Sequence, residues 1–444
     1  MSFLDNIFFA ILLIIGFGYF ANNVKKIIRN INLGKDVNRS DNSSARWKNM
    51  AMIALGQSKM IKRPVAGILH IIVYIGFVII NIELLEIIID GLFDTHRVFS
   101  FMNGFYDLLI ASFEILALLV LIAVIVFWIR RNVTKLKRFA SSDLKGKPKK
   151  DANYILYFEV VLMSLFLLMN AADLHLQNLP EVFGHYEKAG SFPISQFLSP
   201  LFDGMSIQLV YMLERTFWWM HIIIILIFLN YLYFSKHLHI LLAFPNTYFA
   251  DLHPKGQFDN LESVTNEVKL MMDPNTDPFA AQPVDVDAAQ SKFGASDIQD
   301  LNWVQLLNAY TCTECGRCTS ACPASQTGKK LSPRKIMMDT RDRMEEVGRN
   351  IDKNKGVFIP DNISLLNNYI TAEELWACTS CNACVEECPV NISPLSIIID
   401  MRRFLVMEQS AAPQSLNAMM TNIENNGAPW QYNQQDRLNW KNES

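Results

Sequence analysis

The sequence predicts an all-α protein in two parts: a five-span transmembrane helical bundle, followed by a smaller helical domain that holds every cysteine. Three observations lead there. Five apolar runs, at about 3–21, 65–90, 105–129, 153–174 and 216–235, each approach the ~20 residues that cross ~30 Å of hydrocarbon. Basic residues crowd into alternate loops between these runs. All eight cysteines fall into two copies of one pattern, "CTECGRCTSACP" from Cys312 and "CTSCNACVEECP" from Cys378.

Composition agrees with the split. A chain of 444 residues that is 51% hydrophobic, with mean hydropathy +0.16, is too apolar for an ordinary soluble protein. The net charge of -3 excludes a dedicated nucleic-acid binder, which carries a strongly basic face. No cysteine is left over for a structural disulfide, so the thiols point to metal ligation in a reducing compartment. The opening "MSFLDNIFFAILLIIGFGYF" has Asp5, no basic leader and no small-residue cleavage site, and reads as a retained first span.

Loop charge sets the orientation. Between the first and second spans lie Lys25, Lys26, Arg29, Lys35, Arg39, Arg46, Lys48, Lys59, Lys62 and Arg63, and the loop after the third span is basic from Arg130 to Lys150. Loops 91–104 and 175–214 hold few basic residues. By the positive-inside rule the first pair faces the cytoplasm, which puts the N-terminus outside and everything after the fifth span inside. The expected location is the inner (cytoplasmic) membrane. Trp218 and Trp219 then fall at the outer end of the fifth span, either in the interface or against lipid.

Residues 1–250 form the membrane part, and 251–300, rich in Asp, Asn, Pro and Gln, read as a linker. From 301 to 410 the pattern is helical. Ser332-Pro333 and Ser393-Pro394 are N-cap and first-turn pairs, and Thr371 with Glu374 has capping-box spacing. Residues 411–444 form a tail that serves partner docking.

Each cysteine run reads C-x2-C-x2-C-x3-C-P. Three closely spaced thiolates reach three irons of one cubane, while the fourth, aimed away by the following proline, ligates the other cluster. Two 4Fe-4S clusters follow: one on Cys312, Cys315, Cys318 and Cys388, the other on Cys378, Cys381, Cys384 and Cys322. Zinc, which prefers paired C-x2-C knuckles around one ion, is the alternative for these thiols. The long helical insert between the motifs resembles the two-cluster ferredoxin domain of heterodisulfide-reductase-type and fumarate-reductase-type subunits.

Histidines supply candidates within the membrane part. His221 and His239 stand 18 residues apart, which on one continuous helix is five turns and ~27 Å, so both would face one way. His70, near the cytoplasmic start of the second span, has the depth of His239, and a haem b between the two is the expectation, since histidine in lipid is costly unless paired or ligating. His237 is the rival for His239 but would face about 160° away. His221 would need its own partner for a second, outer haem, and His175, His96 and His185 are the candidates, with His175 preferred. Glu83, Glu86, Asp90 and Glu114 are intramembrane acids suited to proton delivery or to span packing.

"GQSKMIKRPVAGILHIIVYIGFVIIN" and "WWMHIIIILIFLNYLYFSKHLHILLAFPN" resemble the haem b membrane domain of the nitrate reductase gamma subunit and of heterodisulfide-reductase-related proteins. The resemblance implies that His70 and His239 are the inner haem ligands. The second-span ligand of the outer haem has no counterpart in "VIINIE". "NIENNGAPWQYNQQDRLNW" resembles the segment that, in membrane iron-sulfur oxidoreductases, leads into a cysteine-rich CCG domain. That family implies an electron-transferring-flavoprotein:menaquinone oxidoreductase, with menaquinone as substrate. Its partners would be a CCG-domain, heterodisulfide-reductase-D-like iron-sulfur subunit supplied separately, and an electron-transferring flavoprotein. The alternatives are a heterodisulfide-reductase-type or quinol-oxidising respiratory subunit and, from another class, a zinc-binding membrane anchor without redox function.

Overall fold

The structure is a computed structural model that describes residues 3–179, 186, 188–254, 256–274 and 292–442. Five helices are long and apolar enough to cross a membrane: Leu4–Ile31, Pro64–Phe93, Gly104–Asn132, Lys147–Gln177 and Ile207–Phe234. At ~1.5 Å per residue each reaches about 40–45 Å, well beyond ~30 Å of hydrocarbon, so the helix ends stand clear of the lipid core. The second packs on the third, the third on the fourth and the fourth on the fifth, and the first closes the bundle against the fifth and second. Glycine sets two of the close approaches: a Cβ on Gly91 would lie 2.5 Å from the Phe9 ring, and one on Gly76 2.5 Å from Val120.

Helix ends depart from the apolar runs for tertiary reasons. The first helix continues ten residues past its run because Ile27 and Ile31 are buried in the core of the cysteine domain. The Asn30 amide donates to the Tyr310 hydroxyl at 2.9 Å, and Lys26 and Arg29 pair with Asp352. The fifth helix does the opposite. It ends at Tyr231, a single 3-10 turn follows, Ser235 is extended (φ -118°, ψ 146°), and a new helix starts at His239. The expected continuous helix from His221 to His239 is therefore absent. Ser235 caps the break by accepting from the His237 amide at 3.1 Å. Trp218 is also corrected: it is 5% exposed and packs its ring 5.2 Å from Phe9, inside the bundle.

Among the described residues there is no strand, only isolated bridges of Lys35 with Asn302 and Leu366 with Ile370. The cysteine domain is built from helices Trp303–Thr311, Arg317–Ala321, Pro333–Lys353, Ala372–Trp376, Ala383–Glu387 and Pro394–Met407. Its starts carry the expected caps. Ser332 and Ser393 accept from the amides three residues on, and Thr371 and Glu374 complete a capping box. The described part of the stretch expected to be a linker carries regular structure: Glu262–Met272 is helical, and residues 292–300 belong to the domain, where Asp297 accepts from Arg343 at 2.9 Å. Gly294 (φ +75°) lies against the helix ending at Met407, where a Cβ would meet the Asp400 carbonyl at 2.2 Å.

The domain sits on the end of the bundle where the first, third and fifth helices finish and the second and fourth begin. Both basic loops touch it. Lys62 pairs with Glu386, Arg63 donates to Ser320 at 2.9 Å, and the buried Arg334 guanidinium pairs with Asp143 of the loop after the third span at 2.7 Å.

Candidate metal and cofactor site

The two cysteine motifs fold alike because the same two positions in each take left-handed backbone. Glu314 (φ +56°) and Gly316 (φ +72°) flank Cys315, and Ser380 (φ +54°) and Asn382 (φ +59°) flank Cys381. These turns curl the first three thiols inward, and a one-turn helix then carries the chain to the fourth. Cys322 (ψ 120°) and Cys388 (ψ 123°) are extended, as the residue before proline prefers, so each points away from its own motif.

The thiols gather across motifs. Cys312, Cys315, Cys318 and Cys388 line one pocket of about 390 Å³, which Cys384 also borders. Cys318 and Cys388 both sense the charge of Cys315, while Cys378 and Cys384 both sense those of Cys322 and Cys381. Burial pushes the thiols of Cys312 and Cys384 up to about 12 and that of Cys388 to about 11. They give up their protons readily only to a metal, whose charge replaces the lost hydration. Backbone amides are already aimed at sulfur: Ser380 donates to Cys378 Sγ at 3.4 Å, and Ile392 to Cys388 Sγ at 3.3 Å. Cys381 alone of the eight is exposed.

Polar anchors that the sequence reading missed tie the first motif to the membrane bundle. Glu314, between two cysteines, is held by Lys236 from the broken end of the fifth span and by Arg341 at 2.7 Å. The Asn246 amide donates to the Val390 carbonyl at 2.7 Å, and Asn308 links Asn246 to the Ser393 amide. For Asn246 and Asn308 the sequence signal is a polar residue on the buried side of a helix, and for Glu314 and Lys236 there is none.

Below the first motif the contacts lead to His70. Lys59 Nζ donates to the Cys388 carbonyl at 3.3 Å, and Arg317 donates to the Lys59 carbonyl at 3.2 Å and lies 3.6 Å from Met60 sulfur. The Met60 carbonyl rests on Gly67, where a Cβ would stand only 2.5 Å from it, and His70 is one turn further on.

The His70 and His239 rings lie 6.4 Å apart, centroid to centroid. His239 Nδ1 is 3.1 Å from the Lys236 carbonyl, and burial keeps this imidazole below its ordinary value. His70 Nδ1 is buried with no hydrogen-bond partner. His237 does not face away as a continuous helix requires: with the helix broken at Ser235, its ring lies 5.3 Å from that of His239.

The outer histidines do not pair. His221 packs at 6.1 Å from Phe166 of the fourth span, whereas His175 lies nine residues further along that helix, ~13 Å away by helical rise, beside Phe202 and Asp203. One iron cannot be shared across that gap, which corrects the expected His221–His175 pair. His96 is engaged with Asp173 at 3.5 Å and with the Tyr186 ring, and His185 lies outside the described residues.

Comparison with known proteins agrees with the cysteine geometry. Residues 308–392 match the 4Fe-4S dicluster domain family. The chain is 29% identical over 458 residues to the probable iron-sulfur-binding oxidoreductase FadF of Bacillus subtilis, covering 96% of this chain and 59% of that protein. It is 27% identical over 431 residues to the EtfAB:quinone oxidoreductase of Syntrophomonas wolfei, covering 92% and 55%. A shorter match, 33% over 172 residues, covers 35% of this chain and 25% of a probable membrane-anchored ferredoxin of Chromohalobacter salexigens. The chain thus spans somewhat over half the length of the two relatives it matches along almost its whole length. No solved structure matches. The chain is an all-α, membrane-anchored iron-sulfur protein with a 4Fe-4S dicluster domain, similar to iron-sulfur oxidoreductases.

Proposed function

We propose that the chain is an electron-transfer subunit linking a soluble redox partner to membrane quinone, with menaquinone as the substrate. One observation carries this reading: three donor sets are stacked in order. Cys378, Cys381, Cys384 and Cys322 include the exposed thiol, Cys312, Cys315, Cys318 and Cys388 lie against the bundle, and His70 with His239 lies beneath the Lys59–Met60 loop.

The two cysteine sets fit one 4Fe-4S cluster each, with the fourth ligands exchanged. His70 and His239 fit a bis-histidine haem b: two metal–nitrogen bonds of ~2 Å plus the ring radii come to roughly the observed separation, and the buried His70 Nδ1, which has no hydrogen-bond partner, is satisfied if it is itself the ligating atom. Bound there, these groups supply one-electron carriers suited to a quinone that is reduced in two single-electron steps. The chain's own residues hold the three sets in line, leave only Cys381 of their ligands exposed, and neutralise charge with Lys59, Arg317 and Arg63. Among the described residues His221 has no second histidine beside it for an outer haem.

The basic loops that clasp the domain support a cytoplasmic position for it by the positive-inside rule. The soluble partner, a CCG-type iron-sulfur protein fed by an electron-transferring flavoprotein, is proposed from the resemblance and from the naming of the EtfAB:quinone oxidoreductase relative. The tail offers it a surface. Helix Gln414–Asn426 has no buried residue, and Trp430, Leu438 and Trp440 are exposed.

The test is direct. The purified chain, reduced with dithionite and mixed with a menaquinone analogue, should recover its oxidised visible spectrum, and a spectrum that stays reduced sinks the proposal. His70→Ala and His239→Ala should each abolish the reduced haem bands, because a methyl group cannot replace an imidazole–iron bond. Full haem content in both variants would refute the ligand assignment.

A further inference from the structure

The far end of the bundle holds a second polar site, lined by Glu83, Glu86, Asp173 and Glu214 with Arg97 and Trp218, in a cleft of about 690 Å³ including its open mouth. Glu83 lies 19 residues along the helix that starts at Pro64 beside the cysteine domain, ~28 Å away by helical rise. The mouth is formed by the loop at Asp94, Thr95 and His96 and by Tyr211.

Nearly every group in the cleft is accounted for. Arg97 donates to Asp173 at 2.6 Å, to Asn170 at 2.9 Å and to Tyr106 at 3.2 Å. Tyr106 in turn donates to Glu86 at 3.0 Å, and Glu86 also accepts from the Phe99 amide at 2.9 Å. Asp90 accepts from the amides of Arg97 and Val98, and Glu114, across on the third span, from those of Ile194 and Ser195. Arg215 is held by Glu214, and His96 by Asp173. Glu83 differs: it is 3% exposed, faces the cleft, and its Oε2 has no hydrogen-bond partner.

Five buried carboxyls, Glu83, Glu86, Glu114, Asp173 and Glu214, thus share two guanidinium groups, Arg97, which Asp173 holds, and Arg215, which Glu214 holds. Arg97 lends charge, but its donors go to Asp173, Asn170 and Tyr106, and a buried carboxylate oxygen that receives no hydrogen bond is costly, whereas a carboxylic acid facing an open cleft is not. Spaced three and four residues apart, Glu83, Glu86 and Asp90 form a ladder from the floor of the cleft to its mouth on one helix face.

We propose that Glu83 is a proton-exchanging carboxyl, loaded from water at the end of the bundle opposite the cysteine domain, which changes its protonation or hydrogen bonding when the redox groups are reduced. The proposal rests on the redox reading above. Glu83 enters protonated, and an electron added to the low-dielectric interior alters the field at that carboxyl and with it the hydrogen bonding of its O–H and C=O. Reduction of a quinone takes two electrons from the redox groups and two protons, which Glu83 passes on one at a time, each replaced from water at the mouth of the cleft.

Redox-difference infrared spectra of the full-length purified protein, reduced with dithionite and oxidised with ferricyanide, in light and heavy water, test this without requiring quinone turnover. A carboxylic C=O band that shifts in heavy water is expected, lost in Glu83→Gln and retained but displaced in Glu83→Asp. Its absence from the native protein, or its survival unchanged in Glu83→Gln, overturns the proposal. Quinone-driven reoxidation is followed on the same samples: a native protein that shows the Glu83 band yet does not reoxidise counts against the quinone reading and for Glu83.

Discussion

Combining Cys381→Ser with Cys388→Ser is expected to remove both clusters, although both cysteines lie in the second motif. In the assignment above Cys381 belongs with Cys378, Cys384 and Cys322, while Cys388 completes the set of Cys312, Cys315 and Cys318. One change in each set leaves three thiols and a hydroxyl at both sites, and serine is a poor substitute for a soft thiolate ligand. Iron should fall from about eight atoms per chain to near none. Combining Cys315→Ser with Cys388→Ser should instead leave about four, because both then strike the same cluster. Were each motif to hold its own cluster, the two results would be reversed. The physical basis is the extended backbone at Cys322 and Cys388, which turns the fourth thiol of each motif away from its own first three.

Asp143→Ala is expected to cost about 3–5 kcal/mol of stability, the usual penalty for stranding one member of a buried ion pair. Arg334 is 1% exposed and donates to Asp143 at 2.7–3.0 Å through Nε and Nη2, to Ser141, and to the Arg138 carbonyl at 2.8 Å. It also packs on the first cysteine motif, where a Cβ on Gly316 would come within 2.6 Å of its Nη1. Removing Asp143 leaves that guanidinium buried without its counter-charge, at the joint between the membrane bundle and the domain. Thermal bleaching of the clusters, followed by absorbance, should move to lower temperature in Asp143→Ala. Much of the loss should return in the apolar double variant Asp143→Leu with Arg334→Met.

The same pair gives a pH dependence. Burial raises Asp143, but hydrogen bonds and charge from Arg334 outweigh it and hold the carboxyl below its ordinary range. Its contribution is therefore complete above the unfolded value of ~3.9 and is lost as pH falls through the lower folded value. Native protein should lose stability across that acid window, and the Asp143→Ala chain should lack this share of the dependence.

How legible the molecule was depended on the range of the signal. Spans of 28 to 31 residues announce themselves because lipid demands unbroken apolar helix, and the caps at Ser332, Thr371 and Ser393 because they satisfy local amides. The break after Tyr231 was not legible, since no proline or glycine marks it. It exists because Ser235 caps the chain and Lys236 turns inward to Glu314, seventy-eight positions away. Helical-wheel facing for His221, His237 and His239 failed at that one extended residue.

The sequence by itself determined the two-part plan, the membrane class and the iron-sulfur chemistry, because spacing within a dozen residues is enough to specify a span, a cap or a three-thiol arc. Only the tertiary structure decided which groups meet. It brought His70 within 6.4 Å of His239, separated His221 from His175, extended the first helix into the domain through Ile27 and Ile31, and left Glu83 without a partner over a water-accessible cleft. The reason is that burial and charge compensation are sums over neighbours distant in the chain, and local periodicity holds no record of them.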